Sequence, residues 1–266
     1  MDISGNLLMK HLKAMIELDT IYNCDCLEGM REIPDGSVDA IICDLPYGTT
    51  ANKWDSIIPL DKLWEQYNRV CKPTAAIVLT ASQPFTSILV MSNPKMFRHE
   101  WIWIKNRGSN FANTVREPFK EHEEIIVFSK GGWTYNKQMQ ERTGGGANRV
   151  RYGFNHVTSS TNYRKFTRPQ NESAPEYRVP SSWQKFNTET GLHPTQKPVE
   201  LFRYLIRTYT NEGETVLDNC IGSGTTAIAA LRENRHFVGF ELNKEFYDKA
   251  CERIRNEQAQ LKMAMD

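Results

Sequence analysis

The sequence predicts an α/β protein built on a doubly wound, mostly parallel sheet of seven strands, interrupted by one insertion. Three observations carry that prediction. Short apolar runs rich in β-branched residues recur, amphipathic segments separate them, and the rhythm lapses between residues 131 and 190, where glycine clusters and scattered prolines leave no sustained period. The strands are predicted at 20–24, 38–43, 75–80, 99–105, 124–128, 215–217 and 236–240, and the helices at 60–71, 83–91, 199–208, 225–233 and 244–259. A chain of 266 residues can bury one full core. Residues 1–130 and 191–266 are therefore read as two halves of one domain, with 131–190 inserted between them.

Charge is informative only locally. The chain carries 33 basic and 32 acidic residues, a net +1, yet the insertion holds nine Lys/Arg against four Asp/Glu, with nine aromatics interleaved. Basic side chains reach phosphates and aromatics stack on unpaired bases, so this composition suits a nucleic-acid surface. A solvated, loop-rich subdomain would share it. The six cysteines form no C-x-x-C pair and lie in or beside apolar runs, which points to reduced thiols and a cytoplasmic setting. No run approaches the ~20 apolar residues of a membrane span.

Residues 215–226 read Thr-Val-Leu-Asp-Asn-Cys-Ile-Gly-Ser-Gly-Thr-Thr: a strand, an acid at its end, a glycine turn and a helix start. Gly222 and Gly224 allow close backbone approach to a ligand, and the helix N-terminus favours an anionic group. Glu241 ends the next strand, where a doubly wound fold places the carboxylate that grips ribose hydroxyls. With Ala227 the loop also fits the dinucleotide pattern G-x-G-x-x-A. Chain order argues against a dehydrogenase: only 44 residues follow Gly222, so the remaining strands must come from earlier in the chain.

A second signature closes the strand at 38–43, which runs directly into Asp44-Leu45-Pro46-Tyr47-Gly48. An acid, a proline and an aromatic at a strand's carboxyl end lie where open α/β sheets build sites, although a strand-ending turn with a packed tyrosine would read the same way. The set suits methylation of an amino group on a base. Such a nitrogen has its lone pair delocalised into the ring until acceptors draw it toward tetrahedral geometry. Asp44 and the main-chain carbonyl of Leu45 are the candidate acceptors, and Tyr47 is a wall on which an extruded base can stack. The chain has no Pro-Cys dipeptide, the mark of carbon methylation through a cysteine nucleophile.

Asp44 to Tyr47 resembles the D-P-P-Y motif of the amino-group DNA methyltransferases, and Asp218 to Thr226 resembles their cofactor loop. His193-Pro194-Thr195-Gln196-Lys197-Pro198 is similar to the segment before that loop in the family's β class, and 22–28 with 33–39 look like that class's opening. The motifs occur in that class's permuted order: catalytic motif, recognition region, cofactor loop. The resemblance implies a Rossmann-like fold, S-adenosyl-L-methionine as cofactor and DNA as substrate. It implies catalytic roles for Asp44, Leu45, Pro46 and Tyr47. The implied cofactor set is Asp25 at the adenine, Glu241 at the ribose, and Thr195, Lys197, Asp218, Cys220, Gly222, Ser223, Gly224, Thr225 and Thr226 toward the methionine end, with Cys26, Asp44 and Leu242 as further cofactor contacts. Residues 106–190 would include target recognition, with Arg107, Arg116, Arg149, Arg151, Arg164 and Arg168 as DNA contacts. Asn106 to Glu123, with Phe111, Asn113 and Arg116, would form a loop facing the flipped base or DNA, although a Phe and an Asn in a loop are more often packing and turn residues.

One residue departs from the motif. Leu45 replaces the family's first proline, which keeps the carbonyl but loses a fixed φ. The acidic first position favours adenine over cytosine as the target. A second copy of the chain and a companion restriction endonuclease are candidate partners. His193 and His236 are read as packing and hydrogen-bonding residues, with no metal site, and the deaminase pattern H-x-E with P-C-x-x-C is absent. The competing functions are an amino methyltransferase acting on cytosine, on RNA or on protein glutamine, and a nucleic-acid-binding protein that has lost catalysis.

Overall fold

A computed structural model describes residues 16–49, 55–142, 176–189, 191 and 196–264. Two compact units emerge, one formed by Met1–Asn136 with Ser182–Asp266 and a smaller one by Lys137–Ser181.

The larger unit holds an eight-stranded sheet in the order β1 (Thr20–Tyr22), β10 (His236–Phe240), β9 (Thr215–Asp218), β2 (Val38–Asp44), β3 (Cys71–Ala81), β5 (His122–Phe128), β4 (Phe97–Ile104), β8 (Trp183–Lys185). Only β5 runs antiparallel to its neighbours. The seven expected strands are present. The eighth, β8, corrects the count: it pairs Ile102 with Trp183 inside a segment read as patternless, because three residues are too few to display a period of two.

The central strands are buried on both faces, which is why they read as unbroken apolar runs. Along β2, Ala40 and Ile42 enter one core, while Ile41 and Cys43 enter the other. The first core is closed by α4 (Val199–Tyr209), α5 (Thr225–Arg232) and the buried stripe of α6 (Lys244–Met263). The second is closed by α1 (Cys26–Met30), α2 (Leu60–Val70) and α3 (Phe85–Ser92). Leu63, Trp64, Tyr67 and Val70 give α2 one apolar stripe at helical spacing. Strand β3 starts earlier than expected, at Cys71. The register shifts between Val38↔Cys71 and Ala40↔Ala76, an irregularity that accommodates Pro73, which has no N–H for the ladder.

The smaller unit contains the antiparallel pair β6 (Gln140–Glu141) and β7 (Tyr177–Arg178). It is narrower than the 131–190 segment marked out by composition. Trp133 packs on the main core, and Asn136 donates its backbone N–H to Thr208 O at 2.7 Å and its amide to Thr210 O at 2.9 Å. Trp183–Lys185 belongs to the main sheet.

The strand order reverses between β9 and β2. From β9 the chain passes through α5 to β10 on one side, and from β2 it passes through α2 to β3 on the other. Ala40↔Val216 and Ile41↔Leu217 pair in parallel, so 44–47 and 219–224 leave the same rim of the sheet, at the crevice where such folds bind ligands.

Candidate active site

At that rim lies a cleft of about 1100 Å³, at the upper end of the sizes that hold a cofactor. Its walls include Asp25, Asp44, Tyr47, Lys197, Asp218, Gly222 and Glu241. Two loops far apart in sequence thus share one cavity.

On the β2 side, Asp44 is the last residue of the strand and its side chain is 25% exposed. The Tyr47 hydroxyl lies 2.9 Å from both Asp44 Oδ1 and Thr80 Oγ1, and the Thr80 hydroxyl donates to the same Asp44 oxygen. Lys197 Nζ lies 2.8 Å from both carboxylate oxygens and 3.3 Å from Glu123 Oε2. Lys105 pairs with Glu123 in turn. Burial alone would depress the Lys197 ammonium, but Asp44 and Glu123 outweigh it and hold its pKa above the ordinary value. Burial likewise opposes ionisation of Glu123, and Lys197 and Lys105 reverse that, lowering its pKa. The Tyr47 phenol is pushed well up by burial and then by Asp44. Its ring stacks on Phe85 at 5.4 Å between centroids, with Lys197 Nζ 5.4 Å from its centre.

The loop that carries these groups is pinned at both ends. Leu45, where the motif has proline, buries its side chain in the α2 core, so packing supplies a restraint that the ring would have given. Beyond Tyr47, Asp55 accepts from Gly48 N at 2.8 Å and Thr49 N at 2.9 Å. Gly48 sits at φ +67°, and a Cβ there would meet Ile57 Cγ1 at 2.9 Å, so the turn requires glycine.

On the β9 side, Gly222 (φ +53°) and Gly224 (φ +84°) turn the chain into α5. Glu241 ties this loop to the end of β10: Oε2 accepts from Gly222 N at 2.9 Å and Oε1 from Asn243 N at 2.7 Å. Burial raises its pKa against the pull of these amides. Asp218 is 3% exposed. Its Oδ1 accepts from Cys220 N at 3.0 Å and its Oδ2 from the Thr226 hydroxyl, so it fastens the loop from beneath. Burial pushes its pKa up to about 6. Asp25 caps α1, its Oδ1 accepting from Leu27 N at 2.8 Å and Glu28 N at 3.2 Å.

The cavity fits the cofactor that the motif implies. An added Cβ at Gly222 would approach only Cys220 O, at 3.9 Å, leaving that backbone open, and the Glu241 carboxylate is presented on the wall by two amides. A family model described as DNA methylase matches residues 38–252. The chain belongs to the N6/N4 DNA methylase family. This methylase transfers a methyl group from S-adenosyl-L-methionine to an amino nitrogen in DNA. It is 27% identical over 252 residues to the type II methyltransferase M.HpaI of Haemophilus parainfluenzae, spanning 88% of this chain and 73% of that one. It is 26% identical over 254 residues to M1.MboII of Moraxella bovis, spanning 89% and 96%. Two solved structures share the fold: the M1.HpyAVI–SAM complex (TM-score 0.59, 24% identity, 88% and 98% covered) and the cytosine-N4-specific PvuII DNA methyltransferase (0.62, 15%, 91% and 92%).

The structure brings most of the expected residues to the cleft. Asp44, Leu45, Pro46 and Tyr47 line it, as do Asp25, Cys26, Lys197, Asp218, Cys220, Gly222, Ser223, Thr225, Thr226, Glu241 and Leu242, the last 72% exposed at the lip. Gly224 supports it from behind, its missing Cβ facing Ala250 at 3.3 Å. Lys197 lies on the cleft wall and bonds Asp44. Arg107 is on the cleft wall and Arg116 on the exposed loop beyond it. Thr195, His193, Arg149, Arg151, Arg164 and Arg168 lie outside the described residues. His236 Nδ1 is 2.8 Å from Asp19 Oδ2, a structural bond, and among the described residues no cluster could hold a metal. All six cysteines are unpaired thiols.

Sequence reasoning missed Thr80, Glu123, Lys105, Asp55 and Asn219. Asn219 is buried and accepts from the Tyr67 hydroxyl at 2.5 Å, across 152 positions. Asn219 sits unremarked inside the cofactor loop, and the others lie outside any motif, with Thr80, Glu123 and Lys105 acting through partners on other strands or loops. Glu123 offered no hint, since it falls in the polar run His122-Glu123-Glu124 ahead of the apolar part of its strand.

Proposed function

We infer that the methylase modifies the N6 amino group of adenine in DNA, acting on a base extruded from the duplex. The observation that carries this reading is Asp44, held as an acceptor in the same cavity as the Gly222 and Glu241 wall. S-adenosyl-L-methionine, when bound, supplies an electrophilic methyl carbon on a sulfonium. Glu241 would hold its ribose hydroxyls, Asp25 would face its adenine, and the backbone at Gly222 would leave room for its chain.

The protein's own groups act on the amine. Asp44 accepts one amino hydrogen and the Leu45 carbonyl the other, drawing the nitrogen's lone pair out of conjugation and stabilising the positive charge that develops there. A carboxylate has about four lone-pair sites, and Tyr47, Thr80 and Lys197 take three, which leaves one for the incoming amine. With one face of its ring on Phe85, Tyr47 is a fixed platform against which a flat base can stack. The Asp44 carboxylate also stands ready for the proton that the methylated amine sheds.

The acidic first position of the motif supports adenine, and identification of the product decides it. Tritiated methyl transfer to unmethylated DNA, followed by digestion to nucleosides, should yield N6-methyladenine. N4-methylcytosine would overturn the choice of base and keep the family. The reading includes a homodimer, tested by sedimentation, and a companion restriction endonuclease, for which the type II designation of the relatives is the support.

A further inference from the structure

The loop between β4 and β5 keeps two large apolar side chains in water. Val115 is 86% and Phe111 81% exposed, the two highest values for large apolar side chains among the described residues. Isolated exposed apolar groups are common, but these two lie four positions apart on one short projection. Strand β4 runs parallel to β3, through the antiparallel β5, so the loop leaves the same rim as the Asp44 and Gly222 loops. Its stem residues Arg107, Asn110 and Lys120 line the cleft.

The stem is braced. Asn110 donates its amide to Glu117 Oε1 at 3.1 Å and Pro118 O at 3.0 Å, and its Oδ1 accepts from Lys120 N at 2.6 Å. Ser109 N donates to Lys120 O at 3.1 Å, and the Lys120 ammonium bonds the Ser82 hydroxyl at the end of β3. The Phe119 ring fills the space over Gly108, where a Cβ would meet it at 2.5 Å. At the tip, Phe111–Asn113 form a 3₁₀ turn, and Arg116 N donates to Asn113 O at 2.9 Å. A braced loop that holds a phenylalanine and a valine away from the core, beside exposed Arg107 and Arg116, has the form of a tool rather than a packing element.

We propose that this loop is the wedge that enters the duplex as the target base leaves, Phe111 and Val115 filling the vacated stack while Arg107 and Arg116 meet flanking phosphates. Extrusion costs the base its stacking and pairing, and apolar wedges are the side chains that hold base steps apart. The inference rests on the reading of this chain as a DNA methylase that works on extruded bases.

The test is the double variant Phe111→Ala/Val115→Ala. The recognition site is first read by modified-base sequencing of DNA from cells expressing the wild-type chain. Two oligonucleotide duplexes then carry that site, one fully paired and one with an abasic position opposite the target base. On the paired duplex the variant should lose about ten- to a hundred-fold in kcat/KM, and on the abasic-opposed duplex, where the target is already unpaired, within about threefold of wild type. Thermal midpoint and S-adenosyl-L-methionine affinity should match wild type. Equal losses on both duplexes, or no loss on either, would overturn the wedge. So would a change in sedimentation with transfer unchanged, which would assign the tip to a second copy of the chain. Failure of the wild-type protein to methylate either duplex would instead refute the underlying reading.

Discussion

Asp44 and Asp218 end adjacent parallel strands and face the same cleft, yet they are put to opposite uses. Asp44 has a buried ammonium against both its oxygens and a quarter of its side chain open to the cavity. Asp218 has no cation within salt-bridge distance among the described residues. Its two oxygens are spent on the Cys220 amide and the Thr226 hydroxyl, and burial lifts its pKa to about 6. Place at a strand end therefore does not decide the work of a carboxylate. The neighbouring groups do: the carboxylate paired with a buried ammonium keeps part of its surface open to the cavity, and the one bonded to its own loop becomes a fastener.

The sharpest way to break this contrast is Asp44→Ala. It should lower methyl transfer at least about a thousandfold while leaving cofactor affinity within a few fold, as separate turnover and binding measurements would read. Wild-type-like turnover would remove Asp44 from the chemistry. Lys197→Met comes next, with a loss of about a hundredfold. The loss should fall in kcat, with cofactor affinity within a few fold of wild type, because Lys197 holds both Asp44 oxygens; unchanged turnover would show that the lysine only packs.

The smallest effect belongs to Asp218. Its folded pKa lies above the unfolded value, so its contribution to stability is full below about pH 4 and is lost as pH rises through about 6. Asp218→Asn removes that dependence. Measured by urea midpoint, the variant should gain on the wild type between pH 4 and 7 by on the order of 2–3 kcal/mol, while transfer persists. A flat difference across that range would mean that Asp218 titrates like an exposed carboxylate.

The apolar runs made the sheet legible, because strands buried on both faces have no alternation to hide. The two glycines and Glu241 were legible through fixed spacing, and Asp44 to Tyr47 through a contiguous motif. What stayed illegible acts across the chain. Lys197 reaches Asp44 over 153 positions and Tyr67 reaches Asn219 over 152, and no local window contains both partners. Strand β8 escaped because three residues carry no period, and α1 because five residues show a cap, Asp25, before they show a face. Thr80 lies within a strand whose apolar pattern gives no reason to single out one hydroxyl.

The interleaved strand order has a consequence during synthesis. Strand β2 leaves the ribosome early, but its partner β9 is made well over a hundred residues later, and among the described residues β1 pairs only with β10. The N-terminal edge of the sheet must therefore wait with open hydrogen-bonding groups until translation is almost finished, a matter of ten seconds or more at roughly 5–20 residues per second. Nascent chains cut short before His236 lack β10, so the wall of the cleft that Glu241 lines forms only once the last strands have threaded between the first.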